Sequence, residues 1–341
     1  MIEFLAPGLL TTVQDFGRHN YQRYGMPHGG AMDSYALAIA NILCGNDRHE
    51  AGLECTVLGP TICFGRENLF AISGGDFAPT LSGRPIVNNR LYLGRAGDIL
   101  RLGAAKTGCR AYITFAGGLD ADMVMGSKST YLKGRIGGLH GRAVQKGDRL
   151  GFTAPVSDLP NLEYRYVEPN FGMRYTSHPT VRVLLGPQED YFTPAALDAF
   201  FSGAYTVTKE NDRMGCRLSG PALSFREGKN GNIVSDGICF GAIQVPSDQP
   251  IIMMADHQTT GGYAKLGSVI WCDLPLIAQL KTGDTLRFKR IGIEEAQQVY
   301  LAHRGRQLDL MRHLNVDVIR SRREMEFQIE GKTYSVMVEE L

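Results

Sequence analysis

Apolar residues in this chain come in short runs, each closed off by glycine, proline, asparagine or aspartate. LFAIS (69–73), CRAYITFAG (109–117), TVRVLLG (180–186), PIIMMAD (250–256) and SVIWCDL (268–274) are examples. Runs of this length, rich in β-branched and aromatic residues and bounded by turn formers, predict strands, and so a mainly β protein with a few helices. Three segments have helical spacing instead. In MDSYALAIANILCG (32–45), Tyr35, Ile39, Ile42 and Leu43 share a face and Gly45 can stop the helix. In FTPAALDAFFSG (192–203), Thr193 is placed to cap the first turn and Pro194 to open it. The third runs over roughly 293–313.

A short pattern recurs in AGDILRL (96–102), KGDRLGF (146–152) and TGDTLRF (282–288): Gly-Asp, any residue, Leu, opening a strand. It marks either three similar turns or a duplicated β unit. The Pro-, Ser- and Asn-rich stretch 153–179 separates two halves, 1–155 and 180–290. Residues 291–341 form a tail. Its end, SRREMEFQIEGKTYSVMVEEL, has two alternating runs about a Gly-Lys turn, which predicts a hairpin. That hairpin resembles the opening of biotinyl carrier domains. No lysine in the chain follows a methionine, so no covalently bound biotin is expected.

Composition narrows the field. With 341 residues there is room for two cores, and the 41 glycines exceed the usual ~7% share, as many tight turns or close ligand approaches require. A net charge of +1 offers no global field for nucleic acid or an anionic membrane. No apolar run approaches the ~18–20 residues of a membrane span, and the amino terminus lacks the pattern of a signal peptide. The seven cysteines include no CxxC pair. Cys55, Cys63, Cys109, Cys239 and Cys272 lie in or beside apolar runs, and are expected to be buried free thiols in a cytoplasmic protein. No metal site is expected from the scattered histidines. GKT at 331–333 lacks the glycine five positions earlier that a phosphate loop needs.

Four stretches gather polar groups against glycines. TTVQDFGRHNYQRYGMPHGGAMD (11–33) carries Arg18, suited to clamp a carboxylate or phosphate or to pair with Asp15 across a turn, and Asp33. LGPQEDYF (185–192) carries Gln188 between a strand and a helix. NDRMGCRLSG (211–220) carries Arg213 and Arg217, which repel unless they share an anion or are solvated separately. Densest is DHQTTGGYAK (256–265), with Asp256, His257, Gln258, Thr259, Gly261, Gly262 and Tyr263. If the preceding strand continues, Asp256 and Gln258 face one way and His257 the other. The residues point to a cleft for a small polar ligand, anionic or amide-bearing, with the reaction left open.

The motifs TTVQDFGR (11–18), GMPHGGAMD (25–33), ANILCGN (40–46), GPQEDYF (186–192), DRMGCRLSG (212–220), GAIQVP (241–246) and QTTGGY (258–263) resemble, in this order, the allophanate hydrolase subunit 2 family. The resemblance covers about residues 3–290. It implies two cyclophilin-like β-barrel halves. It also implies assembly with a KipI-type subunit 1, the B component of 5-oxoprolinase, and, in the oxoprolinase form, with a LamB/YcsF-type A component. That complex opens 5-oxoproline to glutamate at the expense of ATP, which is expected on a partner because no nucleotide motif occurs here. The expected role is therefore a hydrolase subunit inactive alone. The alternatives are a component moving carboxyl from carboxybiotin to urea or a similar amide, and a non-catalytic regulator that binds a KipI-type kinase inhibitor. Within a small-amide cleft, Asp256 or Asp33 would supply a carboxylate, Gln258 and Gln244 would orient the amide, and Arg18 or Arg213 would meet the charged group. The family usually has Arg between Asp256 and Gln258. His257 stands there instead, a titratable group in place of a fixed cation.

Overall fold

The computed structural model describes residues 1–168, 171–315, 321–329 and 331–340, and the chain is mainly β. Strands of the first half form a seven-stranded and a five-stranded sheet. The two are packed over a shared core in which Phe64, Phe70 and Phe115 interlock, with ring centroids 5.3–6.5 Å apart. Strands between Thr180 and Arg290 form a closed seven-stranded barrel. Closure removes the edges that an open sheet would leave exposed.

The first two helices are α1 (Ser34–Leu43) and α2 (Pro194–Ser202). Thr193 caps α2 through its hydroxyl, which accepts from the Ala196 N–H at 3.1 Å, and Phe200 stacks on the barrel's Phe288 at 4.2 Å. One apolar face was expected for α1, but every residue from Tyr35 to Leu43 is buried, because later segments of the chain cover its outer side. These are α3 (Leu274–Ala278), α4 (Ile293–Asn315) and the link between the halves. After α4, Ser321–Ile329 and Lys332–Glu340 form the expected hairpin. All seven cysteines are free, but Cys239 is exposed and Cys63 only half-buried, since each lies at the margin of its apolar run.

The recurrent Gly-Asp motif is the same turn three times. Gly97, Gly147 and Gly283 all take φ between 86° and 92°, where a side chain is strained. The aspartates that follow accept from the amides of Arg95, Gln145 and Lys281, three residues upstream in each case, at 2.7–3.1 Å. The peptide is thereby aimed into the next strand twice in the first half and once in the barrel.

The link between the halves contributes Arg165, which is fully buried with no carboxylate partner among the described residues. Its guanidinium donates to the carbonyls of Ile42 and Leu43 at the end of α1, and of Leu314 at the end of α4, at 2.7–3.0 Å. Burial lowers its pKa. The cost is offset because two helix C-termini present carbonyls that have no partner within the helix, and negative dipole ends, at one point. Replacing Arg165 with Met should cost up to about 2 kcal/mol for each helix end. Urea unfolding of the two proteins measures it, and an unchanged midpoint would mean that the guanidinium holds neither helix.

Candidate functional site

The two halves meet across a buried polar seam. Arg213, at the entrance to barrel strand Gly215–Ser219, clamps both Asp256 oxygens, Nε to Oδ2 at 2.9 Å and Nη2 to Oδ1 at 3.0 Å. Its remaining donors reach Glu54 and the Gly30 carbonyl in the first half. Glu54 Oε2 in turn accepts from the Met32 amide at 2.8 Å and from Tyr112 Oη at 2.7 Å. Burial pushes the pKa of Glu54 up, but the Arg213 and Arg110 guanidiniums outweigh it and hold the carboxyl below its ordinary range. For Arg213, burial opposes the charge, and the Asp256 and Glu54 carboxylates reverse that and raise its pKa. The repulsion with Arg217 does not arise: Arg213 is buried among carboxylates and Arg217 is exposed.

Asp33 lies in the same seam, fully buried. One oxygen caps α1 by accepting from the Ala36 N–H at 2.8 Å. The other accepts from Tyr175 Oη at 2.7 Å and Gln279 Nε2 at 2.8 Å. With both oxygens engaged and no open side, the expected catalytic carboxylate is instead a joint between α1, the interdomain link and the barrel. Gln279 also accepts from the amides of Cys109 and Arg110 and donates to the Arg110 carbonyl, all at 2.9 Å. It takes the place of a strand partner where the register of Thr107–Phe115 shifts.

Around Asp256 the satisfied seam gives way to unsatisfied groups. The strand does not continue past Met253. The chain turns at Ala255–Asp256, so the expected alternation fails, and Asp256 and His257 are both buried. His257 Nδ1 donates to the Gln258 carbonyl at 2.7 Å, which leaves Nε2 an unprotonated acceptor with no partner among the described residues. Burial lowers its pKa, so it is neutral near pH 7. Arg18, fully buried, donates Nη2 to the Ser129 carbonyl, while Nε and Nη1 have no partner among the described residues. Burial lowers its pKa, and the charges of Asp15 and Asp256 oppose that without a hydrogen bond to it. The Asp15 carboxylate bonds instead to the loop above, through Ser127 Oγ, the Lys128 amide and Ser129 Oγ, at 2.5–2.7 Å. Gly29, at φ 66°, lies against both Arg18 and Asp256: a Cβ there would come within 3.5 Å of Arg18 Nη1 and 3.8 Å of Asp256 Oδ1.

The other expected residues fall into two groups. Gln244 is buried with Nε2 unpaired, and an added Cβ on Gly261 would meet it at 2.8 Å and Gln258 Nε2 at 3.5 Å. Gln244 and Gln258 therefore meet at Gly261, which belongs to the two-stranded flap of Asn232–Gly237 and Thr260–Tyr263. Thr259 accepts the Ile238 amide at the flap's base, Gly262 is half-buried within it, and Tyr263 faces outward. Gln188 is spent on the Lys265 amide at 3.1 Å. The sequence reading missed Glu54, Tyr112, Ser129 and Gln279. Glu54, alone among the apolar residues of GLECT, was the available signal; the loop carrying Ser129 gave none.

A model of the carboxyltransferase domain, subdomain A and B, matches residues 24–290. The chain belongs to that family. Its members include the C component of 5-oxoprolinase from Escherichia coli, 37% identical over 87% of this chain and 93% of that protein. The same component from Haemophilus influenzae is 33% identical over 88% and 94%. Urea amidolyase of Lachancea kluyveri is 34% identical, but this chain spans only 17% of it. In structure, the chain superposes on K. lactis urea amidolyase with a TM-score of 0.84 at 32% identity, covering 91% of this chain and 20% of that one. These matches bear out the family and the β architecture read from the seven motifs.

Two measurements test the seam. Truncating Arg213 to Ala should cost about 3–5 kcal/mol in urea unfolding, because Asp256 and Glu54 would stay buried without their cation. Burial raises the pKa of Asp33 to about 6, against hydrogen bonds that oppose the shift. A folded pKa above the unfolded value gives stability that is present below about pH 4 and lost as pH rises through 6. The stability of Asp33→Asn relative to the parent should therefore improve by about 2 kcal/mol from pH 4 to pH 7. A constant difference across that range would mean that Asp33 titrates as if solvated.

Proposed function

We propose that this protein is the C component of an ATP-dependent 5-oxoprolinase, which opens 5-oxo-L-proline to L-glutamate, and that it is inactive without its partners. The geometric observation that carries this is Arg18. Burying two unpaired guanidinium donors is costly, and a carboxylate is the planar acceptor that relieves it. 5-Oxoproline has a carboxylate beside a lactam. With the carboxylate on Arg18, His257 Nε2 accepts from the lactam N–H, and Gln244 and Gln258 orient the carbonyl from beside Gly261 of the flap. Asp256 then acts by positioning Arg213 and the turn that presents His257. The near full-length correspondence with two proteins named for this 5-oxoprolinase component supports the choice within the family. Partners of KipI and LamB/YcsF type complete the assembly, with ATP on one of them.

The second reading is transfer of carboxyl from carboxybiotin, supplied by a separate carrier, to an amide acceptor. It is favoured by the TM-score of 0.84 to urea amidolyase, and Arg18 would then hold the carboxylate in transit.

Glutamate formation from 5-oxoproline and ATP by the three-component mixture should vanish when this chain is omitted. Arg18→Gln and His257→Gln should each lower it about 10- to 100-fold, the value of a hydrogen bond to a charged or reacting group. Inactivity of a folded, associated complex would move the assignment to carboxyl transfer. Full activity of both variants would remove these residues from the site.

A further inference from the structure

A cavity lies outside the candidate site, between the loop at Phe16–His19, the start of α1, the turn at Arg48–His49, Trp271 and the middle of α4. Its volume is about 200 Å³, below the ~300 Å³ at which pockets for drug-sized ligands begin, so it suits a small molecule. Its charge is one-sided. Arg48 and Arg304 line it together with His19, His49 and His303, and no carboxylate does. The two nearest acids are committed. Asp47 is on His49 at 2.8 Å, and Asp273 is held bidentately by Arg182, at 2.9 Å from Nε and 2.6 Å from Nη2. Arg304 has no partner among the described residues. Burial, then the positive field of Arg306, Arg182 and Arg48, lowers the pKa of His303 to about 4 despite Asp273. Burial is the larger cause, and the lesser one is a positive field of the kind that draws an anion.

The remaining wall is aromatic. Tyr35 packs on His303 with ring centroids 5.0 Å apart, and Trp271 and Tyr300 complete it. Those last two also line an adjoining apolar trough with Leu184, Phe240, Ile270 and Leu301. His19 approaches the candidate site through a 3.2 Å contact with His28.

We propose that this cavity binds a small phosphorylated or carboxylated aromatic molecule, its anion between Arg48 and Arg304 and its ring against Trp271 and Tyr300. The inference is independent of the reaction assigned to the cleft. Trp271 is the only tryptophan of the chain, so its fluorescence reports on this wall alone. Titrating the full chain with phenyl phosphate should give a saturable change, at least about tenfold tighter than with inorganic phosphate. Arg304→Gln, an exposed and unpaired position, should weaken it about tenfold and leave the unfolding midpoint unchanged. Calorimetry on the same samples covers a ring that binds without altering emission. Silence in both measurements overturns the proposal, as does equal affinity for the two probes or an Arg304→Gln affinity equal to the parent's. Weak binding of both probes that salt alone abolishes would mark an adventitious ion only, and would overturn it too.

Discussion

One guanidinium is shared by carboxylates from both halves of the molecule. Arg213 holds Asp256 of the barrel and Glu54 of the first half, and none of the three is accessible to more than a trace of water. Such a group is worth little as a net source of stability, since desolvation consumes most of the attraction. What it does is specify. Only one placement of the barrel on the sheets satisfies all three charges at once. Asp33 and Gln279 extend the same demand by bonding to each other across the boundary, and Tyr112 braces Glu54 and the Asp33 amide from within the first half.

The candidate cleft owes its chemistry to where that satisfaction stops. One residue beyond Asp256, His257 has a nitrogen with no partner among the described residues, and Arg18, which flanks Gly29 together with Asp256, has two. Within the seam, Arg110 Nε is also unpaired but lies 3.8 Å from Glu54 Oε1, so its charge is still met. The unpaired atoms of Arg18 and His257 are suited to the two features that an amide substrate bearing a carboxylate presents, an anion and an N–H.

Much of this was legible beforehand. Turn residues at the ends of each apolar run marked the strands, Thr193 and Pro194 marked the start of α2, and seven ordered motifs marked the family. The roles within the site were less legible. Asp33 and Asp256 looked like reactive acids because a carboxylate in a glycine-rich motif reads the same whether it faces a substrate or a buried arginine. The difference lies in partners such as Glu54 and Gln279, far away in sequence. His257 and Arg18 were visible as residue types, but which of their nitrogens stayed unbonded was set for Arg18 by the loop at Ser129, whose sequence carries no sign of it, and for His257 by the turn that brings the Gln258 carbonyl onto Nδ1.

The shared guanidinium also bears on the order of synthesis. Glu54 precedes Arg213 by 159 residues, and Gln279 comes later still. While the chain is being made, the first half has its strands but neither the cation that neutralises Glu54 nor the amide that fills the break near Arg110. It must wait with a charge it cannot bury and a sheet it cannot finish. A stall or truncation before the barrel emerges would leave a fragment with its own apolar core but with Glu54 lacking the Arg213 cation.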